Sequence, residues 1–252
     1  MKINPVVKSL ALVFLVYLFL FVISYSTFLQ TPVIGGQVLV WQSLIEQSIT
    51  WMPFVVGYAY LYRAIIKGKK RSLRGIDESK LLIPSVVLIF LVGISTGVHF
   101  SSQIIEDVLV NQKELFVYQL AFFLDEQIGH LFLLPSVLLS IIFGVLEINR
   151  EQPKLTGIDI WLVNILAVLT AVATSIMSVE AGLIYLFTIP LIFLAYYSVL
   201  KLAKRNKIRL LAYPLNRYLI VVAVVTTIFS IIWWSVNGFS QPEELGLQLF
   251  VF

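Results

Sequence analysis

Seven long apolar blocks constrain this chain more than any other feature: Val6 to Leu29, Val38 to Ile66, Leu81 to Val108, Leu115 to Leu146, Ile158 to Met177, Ala181 to Leu202 and Tyr218 to Val236. A hydrocarbon core of about 30 Å takes about 20 helical residues to cross, and the blocks are close to that length or longer. In lipid the backbone must satisfy its own hydrogen bonds, so such blocks fold as helices. The expected fold is therefore all-α: a polytopic transmembrane bundle of about seven spanning helices, forming one integral-membrane domain over residues 1–252. The chain is 59% hydrophobic and only 13% charged, about half the charged share of a soluble domain. Nothing is left over for such a domain. The weakest boundary is Ser178 to Gly182, where Glu180 alone separates two apolar runs. Merging them would give about 45 residues, too many for one crossing.

Orientation follows from the basic residues. Numbering the loops alternately puts every lysine and arginine except Lys113 on one side. Basic loops stay in the cytoplasm, so the N-terminus is expected inside and the C-terminus outside, in the plasma membrane. The same placement explains the formal charge of +4 without a nucleic-acid partner; the expected surroundings are membrane lipid. The first block is too long for a signal-peptide core and is read as a retained span. Absence of cysteine removes disulfides, thiolate metal sites and cysteine nucleophiles. The closing segment Gly238 to Phe252 is expected along the outer interface. Nothing in the sequence sets an oligomeric state.

Chemistry is expected where polar residues interrupt the apolar blocks, because an ionisable side chain at the bilayer centre costs on the order of 3 kcal/mol and needs a partner or a water-filled cavity. In the third block Ser95, His99, Ser102, Gln103 and Glu106 share one helical face. In the fourth, Gln119, Glu126 and His130 share another, with Asp125 about 100° from Glu126. The two helices are antiparallel neighbours joined by a turn near Asn111 to Glu114. Packing them together would set His99 opposite Glu126 and His130 in the outer half of the bundle. Glu46, Thr50, Ser175, Ser178, Glu180 and Asn237 reach a similar level, whereas the inner half is expected nearly bare of such groups. Two imidazoles with two or three carboxylates suit zinc or another divalent ion, with His99, His130, Asp125 and Glu126 as ligands. Glu106 and any carboxylate left outside the coordination shell would supply a general base. Each element also has a plainer reading. Glu126 and His130 form an i, i+4 pair, Glu106, Asp107 and Glu114 lie near a solvated loop, and Trp233 with Trp234 suits an interfacial belt.

Ser95-Thr-Gly-Val-His99 and Leu124-Asp125-Glu126 resemble the Ser-x-x-x-His and Leu-Asp-Glu elements of alkaline ceramidases and their seven-helix relatives, which include the adiponectin receptors. That resemblance implies a zinc-dependent amide hydrolase with His99 and Asp125 in the site and Ser95 supporting it. The family's last helix carries His-x-x-x-His; Tyr218 to Val236 has no histidine, so His130 would have to stand for one of those ligands. Three functions follow as alternatives: a metal-dependent hydrolase for a lipid-like substrate entering from the outer leaflet, a binding or assembly subunit whose polar cluster fixes helix packing, and a proton-coupled transporter using Glu46, His99, Glu126 and His130 as a relay.

Overall fold

The computed structural model describes residues 3–24, 51–71, 73, 77–109, 111–124, 133–180 and 184–238. Eight α-helices lie among them: α1 (Pro5–Ser24), α2 (Trp51–Ile66), α3 (Ser79–Val108), α4 (Phe116–Phe122), α5 (Leu133–Ile148), α6 (Gly157–Glu180), α7 (Ile184–Arg205) and α8 (Pro214–Asn237). Each apolar block carries at least one of these helices, and the fourth is described as α4 and α5. At the weak boundary α6 ends at Glu180 and α7 begins at Ile184. The stretches of α3, α6 and α8 at Ser79–Glu106, Gly157–Ile176 and Pro214–Asn237 are long and apolar enough to cross a membrane. Their flanks carry Ile83, Phe90, Ile94, Val224, Ile231 and Val236 exposed. Water tolerates few apolar surfaces that continuous, whereas hydrocarbon does.

Helix α5 is the axis of the bundle, packed against α2, α3, α7 and α8, while α1 packs on α2 and α6 on α8. One core cluster joins Val6, Val7 and Leu10 of α1 to Leu61 and Ile65 of α2, Leu139 and Phe143 of α5, and Val163 of α6. A second joins Ile141 and Ile148 of α5 to Val199 and Ala203 of α7 and to Tyr213. These residues come from the start of α1, the end of α2, the end of α5, the start of α6 and the end of α7. The tightest packing therefore sits at the end of the bundle that carries the basic connectors.

Those connectors are tied into one plate. Strands β1 (Lys69–Lys70) and β2 (Arg150–Glu151) pair antiparallel, Lys69 opposite Glu151 and Lys70 opposite Arg150. A Cβ on Gly68 would lie 2.6 Å from the Glu151 carbonyl oxygen, so glycine is what lets the chains approach there. The Arg71 guanidinium donates to the Tyr213 hydroxyl at 2.6 Å, joining the connector before α8. The Asn4 backbone N–H donates to Asp159 Oδ1 at 3.0 Å and its side-chain amide to the Pro153 carbonyl at 3.1 Å, which brings in the N-terminus. Four segments placed on one side by the charge bias thus touch one another.

Glu78 is the electrostatic centre of this plate. It accepts from Asn149 Nδ2 at 2.8 Å and from Arg150 Nη2 at 2.7 Å, with Lys70 Nζ at 3.4 Å. Burial alone would raise its carboxyl, but the Asn149 amide and the Arg150 and Lys70 charges outweigh that and hold it below the ordinary glutamate range. A carboxyl whose folded pKa is depressed contributes stability above its unfolded pKa and loses that contribution as pH falls through the folded one. Thermal unfolding in detergent is therefore expected to shift to lower temperature as pH drops below 4.5. In Glu78→Gln the shift over the same range should be visibly shallower; equal slopes would show that this carboxylate does not bear on folding.

The expectation that the inner half would be nearly bare of polar groups is overturned. Asn4, Glu147, Asn149, Asp159 and Asn216 are all buried at the basic end. They escaped because each stands at a helix end, where sequence reading assigns polar residues to solvated connectors.

Candidate functional site

Ser95, His99, Ser102 and Glu106 of the third block fall on the inward face of α3. Leu81, Ser85, Leu88, Val92, Ser95, His99, Ser102 and Glu106 recur at alternating steps of four and three, and every one is buried or half-buried. Between them Ile83, Phe90 and Ile94 are more than 60% exposed. A spacing of 3.5 residues keeps one stripe against neighbouring helices. The stripe is apolar from Leu81 to Val92, with Ser85 the exception. From Ser95 onward it is polar, toward the end of α3 remote from the basic plate.

The side chains differ in what they can offer. The Ser95 hydroxyl donates to the Leu91 carbonyl of its own helix at 2.8 Å, which leaves its lone pairs to accept but commits its proton. Ser95 in that state can support a site as an acceptor and is not set up as a nucleophile. Thr96 does the same with Val92 at 2.7 Å. Ser102 is fully buried, and His99 and Glu106 are half-buried, two turns apart on the stripe. They are the imidazole and the carboxylate of the stripe.

Helix α3 packs against both α4 and α5, so the expected pairing of the third and fourth blocks is present. Helix α4 turns Ala121 inward and leaves Gln119 exposed. Asp125, Glu126 and His130 lie outside the described residues, as do Glu46, Thr50 and the segment after Gly238. So do the side chains of Gln103, Asp107, Ser178 and Glu180. Among the described residues no three histidine, aspartate or glutamate side chains form a group able to hold a metal ion. Glu114 is exposed at the turn before α4, as a solvated carboxylate should be. On the helices facing across the bundle, Ser175 is buried and donates to the Ala171 carbonyl at 2.6 Å, while Thr226 donates to that same carbonyl at 3.4 Å. The Thr226 bond ties α8 to α6, and neither contact brings an ionisable group.

Sequence reasoning missed the polar residues of the basic end, and local signals for some of them were present. Asn4-Pro5 is an N-cap followed by proline at the first helical position, and the Asn4 Oδ1 accepts from the Val6 N–H at 2.9 Å. Thr156-x-x-Asp159 is a capping box: Asp159 Oδ2 accepts from the Thr156 N–H at 2.9 Å, and the Asp159 N–H donates back to Thr156 Oγ1 at 3.3 Å. Glu147 has no such local signature, since its partners begin 68 residues away.

No family model, curated protein or solved structure matches this chain. Its function is therefore argued from its own residues.

Proposed function

We propose that this chain is a seven-span protein of the plasma membrane, with its N-terminus in the cytoplasm, and that it acts as a metal-dependent hydrolase on a lipid-like substrate entering from the outer leaflet. The observation that carries this reading is the stripe on α3, where Ser95, His99, Ser102 and Glu106 share the inward face of a helix that exposes Ile83, Phe90 and Ile94. Inward polar residues on such a helix are costly, and function is the usual return. The mutual contact of the N-terminal, 69–71, 149–153 and 213 segments supports placing the basic connectors on one side.

His99 with His130, Asp125 and Glu126 would hold the ion; His99 is the member of that set among the described residues, with Glu106 two turns away on the same stripe. A divalent ion supplies Lewis acidity and an acidified water. The chain's own contributions are distinct. Glu106 is the carboxylate placed to take up a proton, Ser95 offers acceptor lone pairs beside His99, and the apolar flanks of α3 admit a lipid tail while excluding water. The resemblance of Ser95 to His99 and Leu124 to Glu126 to alkaline ceramidases favours an amide bond as the target.

Metal analysis of the purified full chain in detergent tests this directly. About one zinc or similar ion per chain is expected in wild type, falling near zero in His99→Ala and His130→Ala. Glu106→Gln should keep its ion and lose on the order of 10² or more in hydrolysis of a ceramide-like amide. Wild-type protein without a stoichiometric ion would remove the mechanism.

A further inference from the structure

The basic residues of the plate are not all used alike. In the loops around β1 and β2, cations alternate with Asp77, Glu78 and Glu151, and Lys70, Arg71, Lys80 and Arg150 are all in ion pairs with them. The connector from α7 to α8 is different. From Ala181 to Pro242 the sequence has six lysines and arginines and no acidic residue. One of the six, Arg217, is held inside, donating to Asn164 Oδ1 at 2.8 Å. The other five, Lys201, Lys204, Arg205, Lys207 and Arg209, are exposed, and none makes an ion pair among the described residues. The described residues supply no counter-charge for them.

The backbone adds a second observation. Helix α7 ends in a tight reversal in which the Ile208 N–H donates to the Ala203 carbonyl at 2.9 Å and the Lys207 N–H to the Lys204 carbonyl at 3.2 Å. That motif needs a left-handed residue, ordinarily glycine, and here Lys207 occupies it with φ 54°. A charge is kept where the backbone favours no side chain at all. Below these cations the outer stripe of α7 continues as Leu200, Tyr197 and Phe193, all exposed, over roughly 16 Å of helix from Phe193 to Lys204.

We propose that the α7–α8 turn is a headgroup site for an anionic phospholipid, with the phosphate held by Lys204, Arg205, Lys207 and Arg209 and an acyl chain lying along Leu200, Tyr197 and Phe193. A cluster of four or more cations next to a membrane helix attracts anionic lipid, and the apolar stripe beneath it selects a lipid over a soluble phosphate. This site rests on the membrane reading but not on the hydrolase.

Native mass spectrometry of the full chain, released from nanodiscs of phosphatidylglycerol and phosphatidylcholine, reads the preference directly. Wild type should retain phosphatidylglycerol over phosphatidylcholine by tenfold or more. The triple variant Lys204→Gln, Arg205→Gln, Arg209→Gln should lose at least tenfold of that preference. The control triple Lys67→Gln, Lys69→Gln, Lys154→Gln removes the same charge from the same end and should change it less than twofold. Lys207→Gly should weaken phosphatidylglycerol retention while raising the unfolding temperature, since it relieves the left-handed strain; a purely structural lysine would not split the two readouts. Equal losses in both triples, or no wild-type preference, would overturn the site in favour of diffuse charge. Displacement of the lipid by millimolar glycerol phosphate would overturn the choice of a lipid. Retention of neither lipid would overturn the membrane reading, and this site with it.

Discussion

Replacing Glu147 by alanine is expected to destabilise the protein by about 4 kcal/mol. The carboxylate is fully buried at the end of α5 and accepts from the Leu215 N–H at 3.0 Å, the Asn216 N–H at 3.1 Å and Asn216 Nδ2 at 2.9 Å. Leu215 and Asn216 follow Pro214 at the start of α8, so these are the first-turn amides that an N-cap side chain ordinarily satisfies. Tyr213, which occupies the cap position, makes no such bond. Glu147 supplies the cap from another helix, its carboxyl oxygens set at the positive end of α8. Truncation leaves the buried Leu215 and Asn216 N–H groups without an acceptor, each costing about 1 to 3 kcal/mol, takes one of its two acceptors from Asn216 Nδ2, and opens a cavity as well. Glu147→Gln keeps the volume and one carbonyl acceptor but turns an amide against N–H donors, so about half the loss is expected. Asn216→Ala should cost less again, since it removes one donor of the three together with the bond from Asn216 Nδ2 to the Gly144 carbonyl at 3.0 Å. Thermal unfolding in detergent gives the order directly. A Glu147→Ala midpoint within a degree of wild type would show that α8 does not need this cap.

The sequence makes the helices legible because lipid imposes long apolar runs, and the α3 stripe because a 3.5-residue spacing from Leu81 to Glu106 has one geometric reading. The inward turn of Ser95, His99, Ser102 and Glu106 follows from that spacing alone. Other features have no comparable signal. Glu147 directly follows the apolar residue Leu146 and precedes a basic connector, so by position it reads as the first solvated residue of a loop. Its burial depends on α8 arriving from far along the chain. The capping box at Thr156 and Asp159 is readable locally, but the second role of Asp159 is not, because the backbone N–H it accepts from Asn4 is 155 residues away. Polar residues near helix ends have two destinations, water or a neighbouring helix terminus, and composition does not choose between them. The same ambiguity separates the α7–α8 turn from the other basic loops. All are rich in lysine and arginine, yet the ion pairs of Lys70, Arg71, Lys80 and Arg150 emerge only once β1 is set beside β2.

Asp159→Ala is expected to cost about 2 to 4 kcal/mol and to loosen the N-terminus before the rest of the bundle unfolds. One carboxylate serves two helices here. Its Oδ2 accepts from the Thr156 N–H and hydroxyl at 2.9 and 2.8 Å, closing the first turn of α6, and its Oδ1 accepts from the buried Asn4 N–H at 3.0 Å. Asn4 in turn caps α1 through the Val6 N–H. Alanine at position 159 therefore removes the α6 cap and leaves Asn4, which is 4% exposed, with an unsatisfied buried donor. Because α1 packs on both α2 and α6, the first consequence should be local opening of α1. Amide exchange at Asn4 and Val6 should accelerate by about 10² under conditions where the amides of α5 are unchanged, since about 2.7 kcal/mol corresponds to that factor. Asp159→Asn retains one carbonyl acceptor and should fall between the two. If exchange in α1 and α5 accelerated together, the N-terminal helix would not be a separately opening unit, and the link from Asp159 to Asn4 would be a contact of the whole fold, with no particular hold on its first helix.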